Sequence, residues 1–199
     1  MKVSAFTFIR NGQILGYPFL QSIQSVLPIV EEFVVNVGES EDDTLALIKS
    51  IPSSKIRIIQ SKWNDSMQDR GFVYGQQKMI AQYNCTGDWA FYIECDEVYH
   101  ESELEQIRES MKVYLNDLNV EALVFDFYHF YGNSNSYLNS PGWYRSEARI
   151  IKNWLPKESG VYQADTNYQP NKKQKKHRLM IKLEKLFRIE LSKKHFKLI

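Results

Sequence analysis

The sequence predicts an α/β fold built on a parallel sheet with helices on both faces. Three observations carry that expectation. The first 60 residues alternate strand-like and helix-like segments in the order β-α-β-α-β, the links between them are short, and polar clusters close the strands. Lys2–Ile9 is rich in β-branched and aromatic residues and stops at the turn signal Arg10-Asn11-Gly12. Phe19, Ile23, Val26 and Leu27 then recur at helical spacing, with Pro28 near the expected stop. Glu32–Val37 reads as the second strand and is followed by the acidic loop Gly38–Asp43. A second helix starts at Thr44, with Asp42 or Asp43 placed as its N-cap, and Lys55–Ile59 reads as the third strand.

Beyond this repeat lies a polar segment from Trp63 to Gly71, then a helix from about Tyr74 to Tyr83. A Gly87-Asp88 turn leads into the strand Trp89–Ile93, which ends directly in Glu94-Cys95-Asp96-Glu97. A charged helix over Ser102–Leu115 and strands over Val120–Phe130 and Trp143–Ile151 complete the pattern. In open α/β sheets ligands bind beyond the carboxyl ends of the strands. Arg10-Asn11, Gly38–Asp43 and Glu94–Glu97 all lie at such ends, so adjacent strands would bring the three clusters to one crevice.

Composition narrows the classes. At 199 residues, 43% hydrophobic and 14% aromatic, the chain can bury a core and is not a disordered polymer. No apolar run approaches the ~18–20 residues that cross a bilayer, and the opening strand-like run with its charge and Asn does not read as a signal peptide. Cys85 and Cys95 lack CxxC or Cys/His spacing, which argues against a disulfide framework or a zinc site and suits a reducing cytoplasm. No Gly-x-Gly-x-x-Gly, phosphate-loop lysine or Gly-x-Ser-x-Gly elbow is present. The net charge of +1 hides an asymmetry: residues 171–199 hold eleven Lys/Arg against two Glu, leaving residues 1–170 with a balance of −8. Such a tail suits an anionic partner. Met180, Leu183, Phe187 and Leu191 recur at helical spacing, so a basic amphipathic helix is expected there, on an anionic membrane surface or on the body's acidic face. The acidic body disfavours nucleic acid.

Carboxylates two apart face the same side of an extended chain, so Glu94 and Asp96 suit a shared divalent cation. Mg2+ or Mn2+ needs only one or two protein carboxylates when substrate phosphates complete its shell. The competing reading is a solvated strand end whose acids start the next helix. Residue types alone weigh the two equally.

Four pieces in order sharpen this. They are Phe6-Thr7-Phe8-Ile9-Arg10-Asn11, Ser40-Glu41-Asp42-Asp43-Thr44, Gly87-Asp88-Trp89 through Glu94-Cys95-Asp96-Glu97, and Trp143–Ile150. With them the chain, over about residues 1–168, resembles the family 2 glycosyltransferases of the GT-A fold, particularly bacterial members that build lipopolysaccharide core and other surface glycans. The resemblance implies a mixed sheet flanked by helices, with a nucleotide-diphosphate sugar held between the first half of the sheet and Mg2+ or Mn2+. It places the metal on Asp96, with Glu94 on the donor side, and the nucleobase near Gly38, Glu39 and Asp42. Arg10 and Asn11 of the opening motif, and Asp69 and Gln77 under the donor, complete the implied donor site. For Gln77, with Lys78, an ordinary solvated helix face is the competing reading.

A leaving diphosphate needs a cation, and Arg145 and Arg149, four apart on one strand face, are candidates; the alternative is an ion-pair ladder with Glu147. An inverting displacement also needs a general base, for which Asp165 is the first candidate and Glu97 the competitor. The expected organisation is thus a GT-A-like domain over residues 1–170 and a basic helical tail over 171–199. The expected function is transfer of sugar to a glycan or lipid-linked acceptor, in the cytoplasm or peripherally at the inner membrane face. Many members continue with further acceptor-side elements where the basic tail starts here, so an abbreviated acceptor half and impaired activity are expected. A non-catalytic nucleotide-sugar-binding or glycan-assembly partner and a nucleotidyltransferase are the competing functions.

Overall fold

In a computed structural model the described residues are 1–67, 71–131, 133–138, 146–153 and 177–185. Strands β1 (Val3–Ile9), β2 (Glu32–Gly38) and β3 (Ile56–Ser61) alternate with helices α1 (Phe19–Val26) and α2 (Thr44–Lys49). Helix α3 (Phe72–Tyr83) leads into β4 (Trp89–Tyr92), and the short β5 (Val98–Tyr99) precedes α4 (Leu104–Tyr114). The second half adds β6 (Ala122–Tyr131), β7 (Asn133–Leu138), β8 (Ser146–Lys152) and β9 (His177–Lys185).

The strands form one mixed sheet in the order β3-β2-β1-β4-β8-β6-β9-β5, with β7 paired to β6. The first four are mutually parallel, as the short βαβ links require, and β8 runs antiparallel to both β4 and β6. The parallel half explains why its strands read as continuous apolar runs: both faces are covered. Along β1, Val3, Ala5 and Ile9 enter the larger core with Phe33, Trp89, Phe91 and Ile107, while Phe6 faces the other side with Val34, Ala90 and Ala81 of α3. Trp89 is fully buried, and its Nε1 donates to the Met111 carbonyl at 3.1 Å, so the largest core side chain leaves no orphaned donor.

One expectation is corrected. His177–Lys185 is not helical but a strand, parallel to β6 and antiparallel to β5. Leu179, Ile181 and Leu183 also alternate with a period of two, and in a run this short the sheet partner decides between the two periodicities. Residues 186–199 lie outside the described residues. Among the described residues no helix is long and apolar enough to cross a membrane.

Candidate active site

Because β1, β2 and β4 are parallel and adjacent, their carboxyl ends meet at one edge of the sheet. Ile9 pairs with Val37, and Ile93 N–H donates to the Phe6 carbonyl at 3.0 Å. Arg10-Asn11, the Gly38 loop and the Glu94–Glu97 turn therefore converge as the strand order requires.

The first two clusters clasp each other. Asn11 adopts a left-handed conformation with φ 55°, which an Asn side chain tolerates because it can bond locally. Its backbone N–H donates to Ser40 Oγ at 3.0 Å, and its Oδ1 accepts from Glu41 N–H at 2.8 Å. Asp42 Oδ2 accepts from Ile14 N–H at 2.9 Å, and Oδ1 from Thr44 N–H at 3.0 Å. Burial opposes the charge of Asp42, but these bonds outweigh it and hold its carboxyl below the ordinary value. Asp42 thus closes the loop and starts α2, whereas Asp43, at the N-cap position, makes no side-chain cap bond. Glu39 is exposed, 3.8 Å from Lys62.

An aromatic wall stands beside the clasp. Trp63, just past β3, packs edge-on to Tyr74 of α3 and against Phe8, and Phe8 stacks on Tyr92. Gly38 is required here by close approach: a Cβ would fall 2.4 Å from Trp63 Nε1. Arg10 lies over the Trp63 ring, with its Nη1 bonded to Asp65 at 2.8 Å. Tyr17 faces the same edge; burial first, then the Asp96 carboxylate, push its phenol up.

The acidic turn is organised from beneath. Glu97 is 1% exposed, and Arg149 of β8, itself 3% exposed, grips both of its oxygens, with Nε to Oε2 at 3.0 Å and Nη2 to Oε1 at 2.7 Å. The same Nη2 lies 3.0 Å from Glu94 Oε1, and Nη1 is paired with Glu147. Burial opposes the charge of Arg149, yet Glu97 and Glu94 hold its guanidinium well above its ordinary range of proton affinity. Lys78 of α3 sits 3.6 Å from the centre of the Tyr92 ring, where burial and then Arg149 bring its amine down to about 8. Asp96 is half-buried at the apex of the turn.

These placements revise several expectations. Glu97, the competing candidate for the base, is buried with both oxygens bonded to Arg149. Arg149 does pair with Glu147, as the ladder alternative expects, but it is 3% exposed and binds Glu97 and Glu94 as well. Gln77 is neither solvated nor open to a ligand. It is 1% exposed, and its Oε1 accepts from Asn36 Nδ2 at 2.9 Å and from Ser61 Oγ. Asp69, Arg145 and Asp165 lie outside the described residues. Sequence reasoning passed over Tyr17, Trp63, Tyr74 and the buried setting of Lys78. The burial of Gln77, by contrast, does carry a signal in the sequence, since Val73, Gln77 and Ala81 form one buried stripe at helical spacing.

No protein-family model matches the chain. Over 96 residues it is 31% identical to an uncharacterized glycosyltransferase of Rickettsia felis, covering 48% of this chain and 29% of that protein. Among solved structures, S. aureus TarS 1-349 in complex with UDP superposes with a TM-score of 0.56 at 16% identity, over 81% of this chain and 50% of that one. Its complex with UDP-GlcNAc gives 0.52 over the same share of this chain. The fold is that of the GT-A glycosyltransferases. The resemblance read from the four motifs is therefore borne out in a sequence relative and in the fold. The chain spans 29% of the length of its curated relative and about half that of TarS 1-349.

Proposed function

We propose that this chain carries the donor-binding half of a metal-dependent glycosyltransferase that moves a sugar from a nucleoside-diphosphate sugar to a hydroxyl of a glycan or lipid-linked acceptor, with inversion. The observation that carries the reading is the convergence of the Asn11–Ser40 clasp, the Trp63 wall and the Asp96 turn at the carboxyl edge of β1, β2 and β4. The binding of UDP and UDP-GlcNAc by TarS, a protein of the same fold, supports it.

Among the described residues no three His, Cys, Asp or Glu side chains gather as a metal cage. Glu94 and Glu97 are engaged by Arg149. On this reading Asp96, half-buried at the apex of the turn, would hold Mg2+ or Mn2+ together with the donor's own diphosphate oxygens, since Mg2+ in phosphate sites needs only one or two protein carboxylates. When bound there, the ion supplies positive charge against the leaving diphosphate. The acceptor oxygen forms the new bond to the anomeric carbon as the bond to the diphosphate breaks, and the hydroxyl proton passes to a base. Asp165 is the proposed base. The balance of +9 over residues 171–199 supports contact with an anionic membrane face, where a lipid-linked acceptor resides.

The test is thermal unfolding of wild type and Asp96→Asn with UDP or UDP-GlcNAc, with and without Mn2+. A ligand at 100 times its dissociation constant adds about 2.7 kcal/mol, a visible shift. A Mn2+-dependent shift lost in Asp96→Asn is expected, together with slow donor hydrolysis in the wild type. Nucleotide binding with no metal dependence and no turnover would replace this reading with a non-catalytic binding protein.

A further inference from the structure

Arg149 holds the turn that carries Asp96, and it does so from both sides. The segment Glu94–Glu97 is closed by a Glu97 N–H bond to the Glu94 carbonyl at 3.0 Å, and the same carbonyl accepts from Ser22 Oγ of α1 at 2.9 Å. On the side-chain level Arg149 spans the turn's two ends: two bonds to Glu97 and a third contact, 3.0 Å, to Glu94. The aromatic faces of Tyr92 and Phe127, 5.4 and 5.0 Å from the guanidinium carbon, wall the planar group in. Asp96 sits between the two gripped residues.

We infer that Arg149 is a positioning residue for Asp96: by clamping Glu94 and Glu97 it fixes the direction of the carboxylate that meets the metal–diphosphate group. The inference rests on the donor-site reading above. A lysine cannot replace the clamp, because an ammonium is a point charge on a flexible stem and lacks the planar fork that bonds both oxygens of one carboxylate and reaches another. The partners that orient a metal ligand typically account for about 10–100-fold in metal affinity. Arg149→Lys keeps the charge inside the cluster but releases the turn.

The experiment is calorimetric titration of UDP into the full chain, with and without Mn2+, for wild type, Arg149→Lys, Glu147→Gln and Asp96→Asn, with thermal unfolding alongside. Wild type is expected to gain affinity on adding Mn2+, and Asp96→Asn to lose that gain. Arg149→Lys should keep its metal-free UDP affinity and lose about 10–100-fold of the Mn2+-dependent gain. Glu147→Gln, which touches Arg149 but not the turn, should retain the gain. A folded Arg149→Lys protein with the full wild-type gain overturns the clamp, as does an equal loss of metal-free and metal-dependent affinity. If wild type shows no gain, or Asp96→Asn keeps it, the donor-site reading itself falls and takes the clamp with it. Should Arg149→Lys fail to fold, Glu97→Gln, which cuts the two-bond arm to one acceptor, is read by the same outcomes.

Discussion

Replacing Glu32 by glutamine should cost the protein about 3 kcal/mol at neutral pH, and the cost should shrink in acid. Glu32 lies at the amino edge of the sheet, with its side chain 14% exposed. Its Oε2 accepts from Ser4 Oγ at 2.6 Å, Thr86 N–H at 3.1 Å and Thr86 Oγ1 at 2.9 Å, and its Oε1 from Arg57 Nη2 at 2.9 Å. Burial works against the charge, but these bonds outweigh it and bring the carboxyl from 4.5 down to about 2. At about 1.4 kcal/mol per tenfold change in proton affinity, that difference is worth about 3 kcal/mol. The folded value is depressed, so the contribution is complete above pH 4.5 and lost as pH falls through 2. At pH 3 the unfolded chain is already mostly protonated while the folded carboxylate is not, and less than half of the contribution remains. Glutamine turns an amide N–H toward these donors and leaves bonds unmade. Urea unfolding of wild type and Glu32→Gln at pH 7 and pH 3 reads both numbers. A gap below about 1 kcal/mol at pH 7, or the same gap at both pH values, would refute the reasoning.

Two further predictions follow from packing and charge. A Cβ at Gly87 would lie 2.7 Å from Ser4 N and 2.8 Å from Lys2 O, whereas one at Gly12 would first meet the rotatable end of Ile9 at 2.3 Å. Gly87→Ala should therefore cost about 3 kcal/mol in urea unfolding and Gly12→Ala about 1, spanning the range typical of overpacking. Lys78 should titrate near 8 by NMR of its ε-carbon. Its folded value lies below the ordinary 10.5, so between those values the unfolded chain binds the extra proton, and stability should rise with pH across that window. Lys78→Met should abolish the rise; a rise unchanged by the substitution would assign it to another group.

The parallel half of the fold was legible because burial on both faces writes itself as continuous apolar runs with few alternative readings. The strand β4 and its acidic end could be placed for that reason, and Asp96 with them. What failed depended on partners distant in sequence. β5 is two residues long and exists as a strand only because β9 pairs with it. Arg149 and Glu97 are 52 residues apart, and nothing in the spacing of Arg145, Glu147 and Arg149 tells whether that face looks to solvent or to β4. Gln77 is instructive in the other direction: its polarity suggested the surface, while its spacing from Val73 and Ala81 gave the true answer. For a single polar residue on a helix, the stripe it shares outweighs its type.

Polar groups at the two edges of the sheet follow different rules. At the amino edge Ser4, Glu32, Thr86 and Arg57 satisfy one another, and Asn153 Nδ2 reaches the carbonyls of Cys85 and Gly87 at 3.0 Å. At the carboxyl edge, Arg10 Nε and Trp63 Nε1 are buried with no hydrogen-bond partner among the described residues. An unsatisfied buried donor costs about 1–3 kcal/mol, so the fold carries that cost at the carboxyl edge. The Trp63 donor lies against Gly38, the one residue small enough to let the Trp63 ring approach the end of β2, and the Arg10 Cβ flanks the same glycine. On the donor-site reading proposed above, these two donors are groups that a nucleotide's acceptors would satisfy. Substitutions at the first edge should register in unfolding, and substitutions at the second in nucleotide binding.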